Sequence, residues 1–311
     1  VERRPLLYLD NCVFSSMLEP SGRELKEFFR DFPCLVVYSD IHLLEMQHNA
    51  VQYCNLLTEL DAVFVRNPSD TRYHPISSIE PGEPHIRFSH HSEFASAFAT
   101  LEAMLYPLRY LLGSRRDVEM EEVARVTGAR MKSSLSDLFA TIGEGEFKGL
   151  SSIFNADIDE VTTEMQALDV SKNWDKLDAQ RRRARNGDPM RAMTSIEKIG
   201  HLFSTITESE RAEILGMFPE NFARIKNLCN GDLAGFVMLL FALGLVKGKG
   251  VLAGKQQERK FSAQFRDAMH IEEASRCDCF ITYDKDASDL AAATFSYAGF
   301  PTKSVLLKVL I

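Results

Sequence analysis

The sequence predicts an α/β fold built on a parallel sheet, with an all-helical region inserted between its two ends. Three observations carry this reading. Short, continuously apolar runs stand where strands buried on both faces of a parallel sheet are expected. Strand and helix signals alternate at both ends of the chain, the grammar of right-handed crossover units. Between them lies a long stretch with helical periodicity and no strand-like alternation of comparable length.

The first strand is the run Leu6, Leu7, Tyr8, Leu9, which Asp10 ends. After the turn signal Glu19-Pro20-Ser21-Gly22, Leu25, Phe28 and Phe29 place a helix over Arg23 to Asp31. Pro33 introduces a second strand, Cys34 to Tyr38. Ser39 or Asp40 is suited to cap the following helix, because a short oxygen-bearing side chain accepts hydrogen bonds from free first-turn amides. That helix is expected to run to about Glu59, with a third strand over Ala62 to Val65. At the far end the same pattern gives a helix from about Ser262 to Arg276 and the strand Cys279 to Thr282. A helix near Ser288 to Ala298 and a last strand, Ser304 to Val309, follow. Residues 1–66 and 251–311 are therefore read as the two parts of one domain, 67–91 as a linker and 92–250 as a helical insertion.

Within the insertion, Phe94, Phe98, Leu101, Leu105, Leu108 and Leu112 recur at three- and four-residue steps. Further stripes are Val123, Val126, Leu135 and Leu138; Ile196, Ile199, Phe203 and Ile206; and Phe222, Ile225 and Leu228. The longest apolar stretch, Leu233 to Val246, contains Gly235 and Gly244 and is shorter than the ~18–20 residues of a membrane span, so it reads as a buried helix. No membrane partner is expected. Arg181, Arg182, Arg183 and Arg185 form a basic cluster that a solvated helix or loop explains as well as a nucleic-acid contact does.

A net charge of -8 argues against nonspecific coating of nucleic acid, which needs many phosphate contacts, but leaves room for a local basic groove. The six cysteines, several inside apolar runs, point to a reducing, cytoplasmic setting. Cys277 and Cys279 have no second pair at zinc-site spacing. The N-terminus shows no secretory leader pattern.

Ligands of parallel sheets gather beyond the carboxyl ends of the strands, where loops converge. Asp10 and Asp284 end two strands there, Glu45 lies early in the helix after the second strand, and Asp267 lies in the helix before Cys279. Converging carboxylates repel one another unless a cation neutralises them, and hard oxygen donors suit Mg²⁺ or Mn²⁺. Such a cation activates water for in-line displacement at phosphorus. Singly, each acid also reads as a helix cap or a surface charge, since the chain has 44 acidic residues.

Local context distinguishes them. Tyr8-Leu9-Asp10-Asn11-Cys12-Val13-Phe14 resembles the opening motif of PIN-domain nucleases, and Ser39-Asp40-Ile41-His42-Leu43-Leu44-Glu45 resembles their second. Asp267-Ala268-Met269-His270-Ile271, with Asp278-Cys279-Phe280-Ile281-Thr282-Tyr283-Asp284-Lys285-Asp286, is similar to the third and fourth. The resemblance covers about 1–66 and 260–311. It implies a three-layer α/β/α sandwich with a central parallel sheet and a Mg²⁺- or Mn²⁺-dependent endoribonuclease. Asp10, Glu45, Asp267 and Asp284 then become catalytic metal ligands, directly or through water. It also implies RNA as substrate, with single-stranded DNA as the alternative, and a companion or inhibitory protein as a partner class. Two departures stand out: Cys12 occupies a position that is often Asn, and the large insertion is foreign to the small toxin members.

Asp278 and Asp286 are spare acids beside the fourth motif. His270, three residues after Asp267, reads as a core or supporting histidine, and His85, His90 and His91 as loop residues. Asn11, Lys255, Arg259 and Lys260 are candidate substrate contacts, the last three leading from a glycine-rich loop into the Asp267 helix. Two rival functions share the fold: a non-catalytic PIN-like protein-interaction module, and a metal-dependent phosphohydrolase acting on small phosphoesters. Oligomeric state is not encoded legibly.

Overall fold

A computed structural model describes residues 3–65, 79–90, 120–142, 150–166, 189–205, 232–245 and 257–308, with a few isolated positions between them. The protein is α/β. Its six strands are β1 (Leu6–Leu9), β2 (Leu35–Ser39), β3 (Val63–Val65), β4 (Ile79–Glu80), β5 (Cys279–Thr282) and β6 (Lys303–Leu306). They form one sheet in the order β4-β3-β2-β1-β5-β6. Every pairing is parallel except β3 with β4. β1 is buried along its whole length, as its unbroken apolar sequence requires at the centre of a covered parallel sheet.

Helices α1 (Asn11–Leu18), α2 (Arg23–Asp31), α3 (Asp40–Met46) and α4 (Ala50–Glu59) connect the first three strands. α2 and β5 fall on the predicted bounds. The single helix expected from Ser39 to Glu59 is instead two, separated by a 3₁₀ turn at Gln47–Asn49. In this turn the His48 ring meets the Glu45 carbonyl at 2.9 Å and Asn49 donates to Gln52, side-chain bonds that compete with a continuous helix. α1 has no counterpart among the sequence expectations, although Val13, Phe14 and Met17 are all buried on it. In the stretch read as a linker, β4 pairs with β3, and 84–90 is helical. His85 and His90 therefore stand on a helix, and the His85 ring lies 3.1 Å from the Cys54 thiol.

By contacts the chain divides into two compact units. One takes in 1–88, 181–248 and 264–311, and the other 89–180 and 249–263, so the 92–250 interval is shared between them. In the first unit, Ser195–Thr205 and Asp232–Ala242 both pack on the helix Lys285–Ala298. Phe236 stacks on Tyr297 at 5.0 Å, and Glu272 accepts a hydrogen bond from the Ala234 amide in the first turn of Asp232–Ala242. Leu233, Phe236, Val237, Leu240 and Phe241 are buried, as expected of the apolar stretch they belong to. Among the described residues no helix is long and apolar enough to cross a membrane.

In the second unit, Met120–Ile142 and Leu150–Gln166 pack together around Met131, Leu135 and Ile158, with Lys132 paired to Asp159 at 2.6 Å. The stripe from Phe94 to Leu112 lies outside the described residues apart from Phe98, which is helical and buried. Phe222, Ile225 and Leu228 also lie outside them, as do Arg181, Arg183 and Arg185.

Candidate metal centre

The site is built on sheet register. Leu9 pairs with Ile281, so the next residues, Asp10 and Thr282, stand side by side at the carboxyl ends of neighbouring strands. The Asp10 amide continues the ladder by donating to the Ile281 carbonyl at 2.8 Å, and Asp10 is then the N-cap of α1. The buried Thr282 hydroxyl donates to Asp10 Oδ2 at 2.5 Å and accepts from the Asp284 amide at 2.9 Å. One hydroxyl therefore ties Asp10 to the turn that carries Asp284. Asp284 in turn caps Lys285–Ala298, its Oδ1 accepting from the amides of Asp286 (2.8 Å) and Ala287 (3.2 Å). At the other end of that helix, Gly299 takes a left-handed φ of 73°, a conformation that favours glycine at a helix terminus.

Cys12 sits between the two turns. Its thiol donates to Asp10 Oδ2 at 3.2 Å, lies 3.4 Å from the Thr282 hydroxyl and accepts from the Tyr283 amide at 3.5 Å. Burial and the Asp10 charge push this thiol up to about 11, so it is a donor and not a thiolate at neutral pH. Asn11 opens α1 with its Oδ1 buried and bonded to no donor. Asp278 belongs elsewhere. It accepts from the Leu6 amide at 2.7 Å and meets Arg3 at 3.4 Å, at the amino end of β5 and a strand's length from Asp284. Lys255 lies outside the described residues, and Arg259 and Lys260 belong to the helix Gln257–Ala274.

Glu45 is held from across the site by that helix. Its Oε1 lies 3.0 Å from Arg266 Nε, and its Oε2 3.2 Å from His270 Nε2. Arg266 and His270 are four residues apart and so share a helix face. Burial by itself raises the Glu45 carboxyl. The His270 hydrogen bond and charge, with the Arg266 guanidinium, more than offset this and hold it at about 2. For His270, burial works against the charged form, but the bond to Glu45 and the charges of Glu45, Asp10 and Asp267 raise its pKa.

Behind His270 runs a buried polar chain that the sequence reading did not anticipate. His270 Nδ1 lies 2.8 Å from the Tyr8 hydroxyl, which in turn lies 2.8 Å from Ser39 Oγ. Ser39 is the N-cap of α3, and its amide donates to His42 Nδ1 at 3.0 Å. Because Nδ1 accepts, Nε2 carries the proton and donates to the Leu9 carbonyl at 2.7 Å. Burial and the neighbouring His270 charge keep His42 neutral, its pKa well below the ordinary value. The two imidazole centroids are 4.7 Å apart, and their pKa values are pushed in opposite directions. A histidine at this position does the work that Glu or Gln does in the usual capping box, which is the signal that was available in Ser39-Asp40-Ile41-His42.

The Glu45–His270 pair has a bounded pH window. Glu45 is depressed, so its contribution is present above about 4.5 and is lost as pH falls towards 2. His270 is raised, so its contribution is complete below 6.5 and is lost as pH climbs through the raised value. Both describe one interaction, worth about 3 kcal/mol on its plateau. In chelator, the destabilisation caused by Glu45→Gln is expected to be largest near pH 5.5. It should shrink at pH 3, and fall to the share held by Arg266 once pH passes the raised His270 value. Urea unfolding of both proteins across pH checks this, and a pH-independent difference would refute it.

Among the described residues, no group of three or more His, Cys, Asp or Glu is arranged to hold a metal ion. Three of the four carboxylates are turned to local partners, Asp10 to Thr282 and Cys12, Asp284 to its helix amides and Glu45 to Arg266 and His270, while Asp267 stands on the helix Gln257–Ala274. No family model, no curated protein and no solved structure matches this chain.

Proposed function

We propose that the protein is a metal-dependent nuclease of the PIN-domain type, with the α/β/α sandwich of that family, cleaving RNA phosphodiester bonds at the carboxyl ends of β1 and β5. The observation that carries this reading is the pairing of Asp10 and Asp284 at the ends of neighbouring parallel strands through one buried hydroxyl, Thr282. Ordinary capping needs no such link. It ties two strand-end carboxylates to one hydroxyl, and on this reading Asp267 and Glu45 complete the acidic set.

The donor set fits a hard divalent cation in chemistry, since four carboxylates supply oxygen only. Asp10, Asp267 and Asp284 would hold Mg²⁺ or Mn²⁺, with Glu45 joining from its pair with Arg266 and His270. When bound, the cation supplies charge neutralisation at the phosphate and an activated water. The remaining roles belong to the chain. Thr282 and Cys12 occupy Asp10 Oδ2 and fix the carboxylate plane, while His270 and Arg266 fix Glu45. Asn11, with an open buried acceptor, is placed to receive a hydrogen bond from substrate or solvent.

The test is cleavage of total cellular RNA by the full chain. Activity is expected with Mn²⁺ or Mg²⁺, and none with chelator or with Asp267→Asn. No cleavage of any RNA or single-stranded DNA pool would refute it, as would an unaffected Asp267→Asn protein. One observation favours a non-catalytic, partner-binding module instead: both oxygens of Glu45 are already engaged, by Arg266 and by His270. Absence of divalent-ion uptake by calorimetry would decide for that module.

A further inference from the structure

Glu45 meets one basic side chain on each carboxylate oxygen, and the two are held very differently. The His270 side chain is 3% exposed and fixed at both nitrogens, by Glu45 and by Tyr8. The Arg266 side chain is 34% exposed, and its Nε, although 3.0 Å from Oε1, makes no aligned hydrogen bond. Its hold on Glu45 is one of charge, without the directional bonds that anchor a guanidinium in a bidentate pair. Of the two, Arg266 is the one free to leave.

We propose that Arg266 is an internal placeholder for the divalent cation at Glu45, and that once displaced it contacts the substrate phosphate. This rests on the nuclease reading above. A divalent cation approaching Glu45 meets the guanidinium as a like charge a few ångströms away, so the two compete for one carboxylate. Cation uptake at Glu45 and Arg266 pairing are then negatively coupled, and the coupling is reciprocal. The displaced side chain remains beside the site, since Arg266 directly precedes Asp267 on the helix. A planar guanidinium with a fork of donors matches phosphate oxygens bidentately, and the scissile group is a phosphodiester. Free protein thus keeps its acid neutralised and its phosphate ligand stored on the same contact.

The experiment is Mn²⁺ titration calorimetry on the full chain, followed by steady-state cleavage of a short single-stranded RNA. Arg266→Met keeps the stem of the side chain and removes the charge, and is expected to tighten Mn²⁺ binding about tenfold. Arg266→Lys keeps the charge and should hold Mn²⁺ affinity near wild type. In a Glu45→Gln background, Arg266→Met should change nothing, because the carboxylate being contested is gone. With RNA, Arg266→Met should raise KM about tenfold, the loss expected for a charge-assisted phosphate contact. Mn²⁺ affinity unchanged or weakened in Arg266→Met overturns the proposal, as does tightening that survives Glu45→Gln, or a KM no higher than wild type. Failure of the broader reading looks different: wild type and Asp10→Asn would take up Mn²⁺ equally poorly, and no variant would cleave.

Discussion

Asp10→Asn is expected to lower the rate of RNA cleavage about a thousandfold, the size of loss seen when one preorganised charge-stabilising group is removed from a reacting centre. The substitution is nearly isosteric. The Thr282 hydroxyl and the Cys12 thiol both donate to Oδ2, and an amide oxygen accepts from the same two donors. The backbone roles of Asp10, the ladder bond to Ile281 and the N-cap of α1, do not involve the side chain. What changes is the other atom of the head group, from a charged acceptor to a neutral donor. Thermal unfolding in chelator should therefore shift by only a degree or two while cleavage collapses. A variant that retains even a tenth of wild-type turnover would remove Asp10 from the machinery. A variant that loses activity and stability together would show only that β1 is damaged.

The two ends of the sheet were legible because burial on both faces leaves a sequence signature. Leu6–Leu9 and Cys279–Thr282 are short apolar runs with nothing polar to interrupt them, and both are strands on the expected bounds. Asp10 and Asp284 were legible as strand-end acids because each ends or follows such a run. The partners of those acids were not. Thr282 and Cys12 matter through register, which places residues 10 and 282 side by side, and no local pattern records register between strands 270 residues apart. His42 and Tyr8 each sit within a motif, yet their bonds run to Leu9 and His270 on other elements. Arg266 was hidden by its charge, since a single basic residue on a helix reads as solvated surface. Its spacing of four from His270 was the available clue, but it has meaning only once an acid is known to face that side of the helix. β4 and the turn at Gln47–Asn49 were missed because two strand residues, or one turn of 3₁₀ helix, carry too few side chains to make a period.

Arg276→Met is expected to destabilise the protein by about 3–5 kcal/mol, the cost of breaking a buried ion pair by removing one partner. Arg276 Nη1 is bonded to Glu273 Oε2, with 0% and 4% of the two side chains exposed. Methionine replaces the buried stem well enough in volume, so the loss is electrostatic and not a cavity. Burial already raises the Glu273 carboxyl, against the pull of Arg276, and the charge of Asp40 adds to the rise. A raised carboxylate gives stability that is complete below about 4.5 and is lost as pH climbs through the raised value. Removing Arg276 lifts that value further, so the penalty of Arg276→Met should be small at pH 4 and grow as the solution becomes neutral. The double variant with Glu273→Gln should recover much of the loss, because the orphaned charge is then absent in both folded and unfolded chains. The pair sits where the Gln257–Ala274 helix turns into β5, next to Glu272, which anchors the Asp232–Ala242 helix. Urea midpoints for the two single variants and the double, at pH 4 and pH 8, decide the matter. Equal penalties at both values, or a double variant no better than Arg276→Met, would mean that Glu273 is not the residue left stranded.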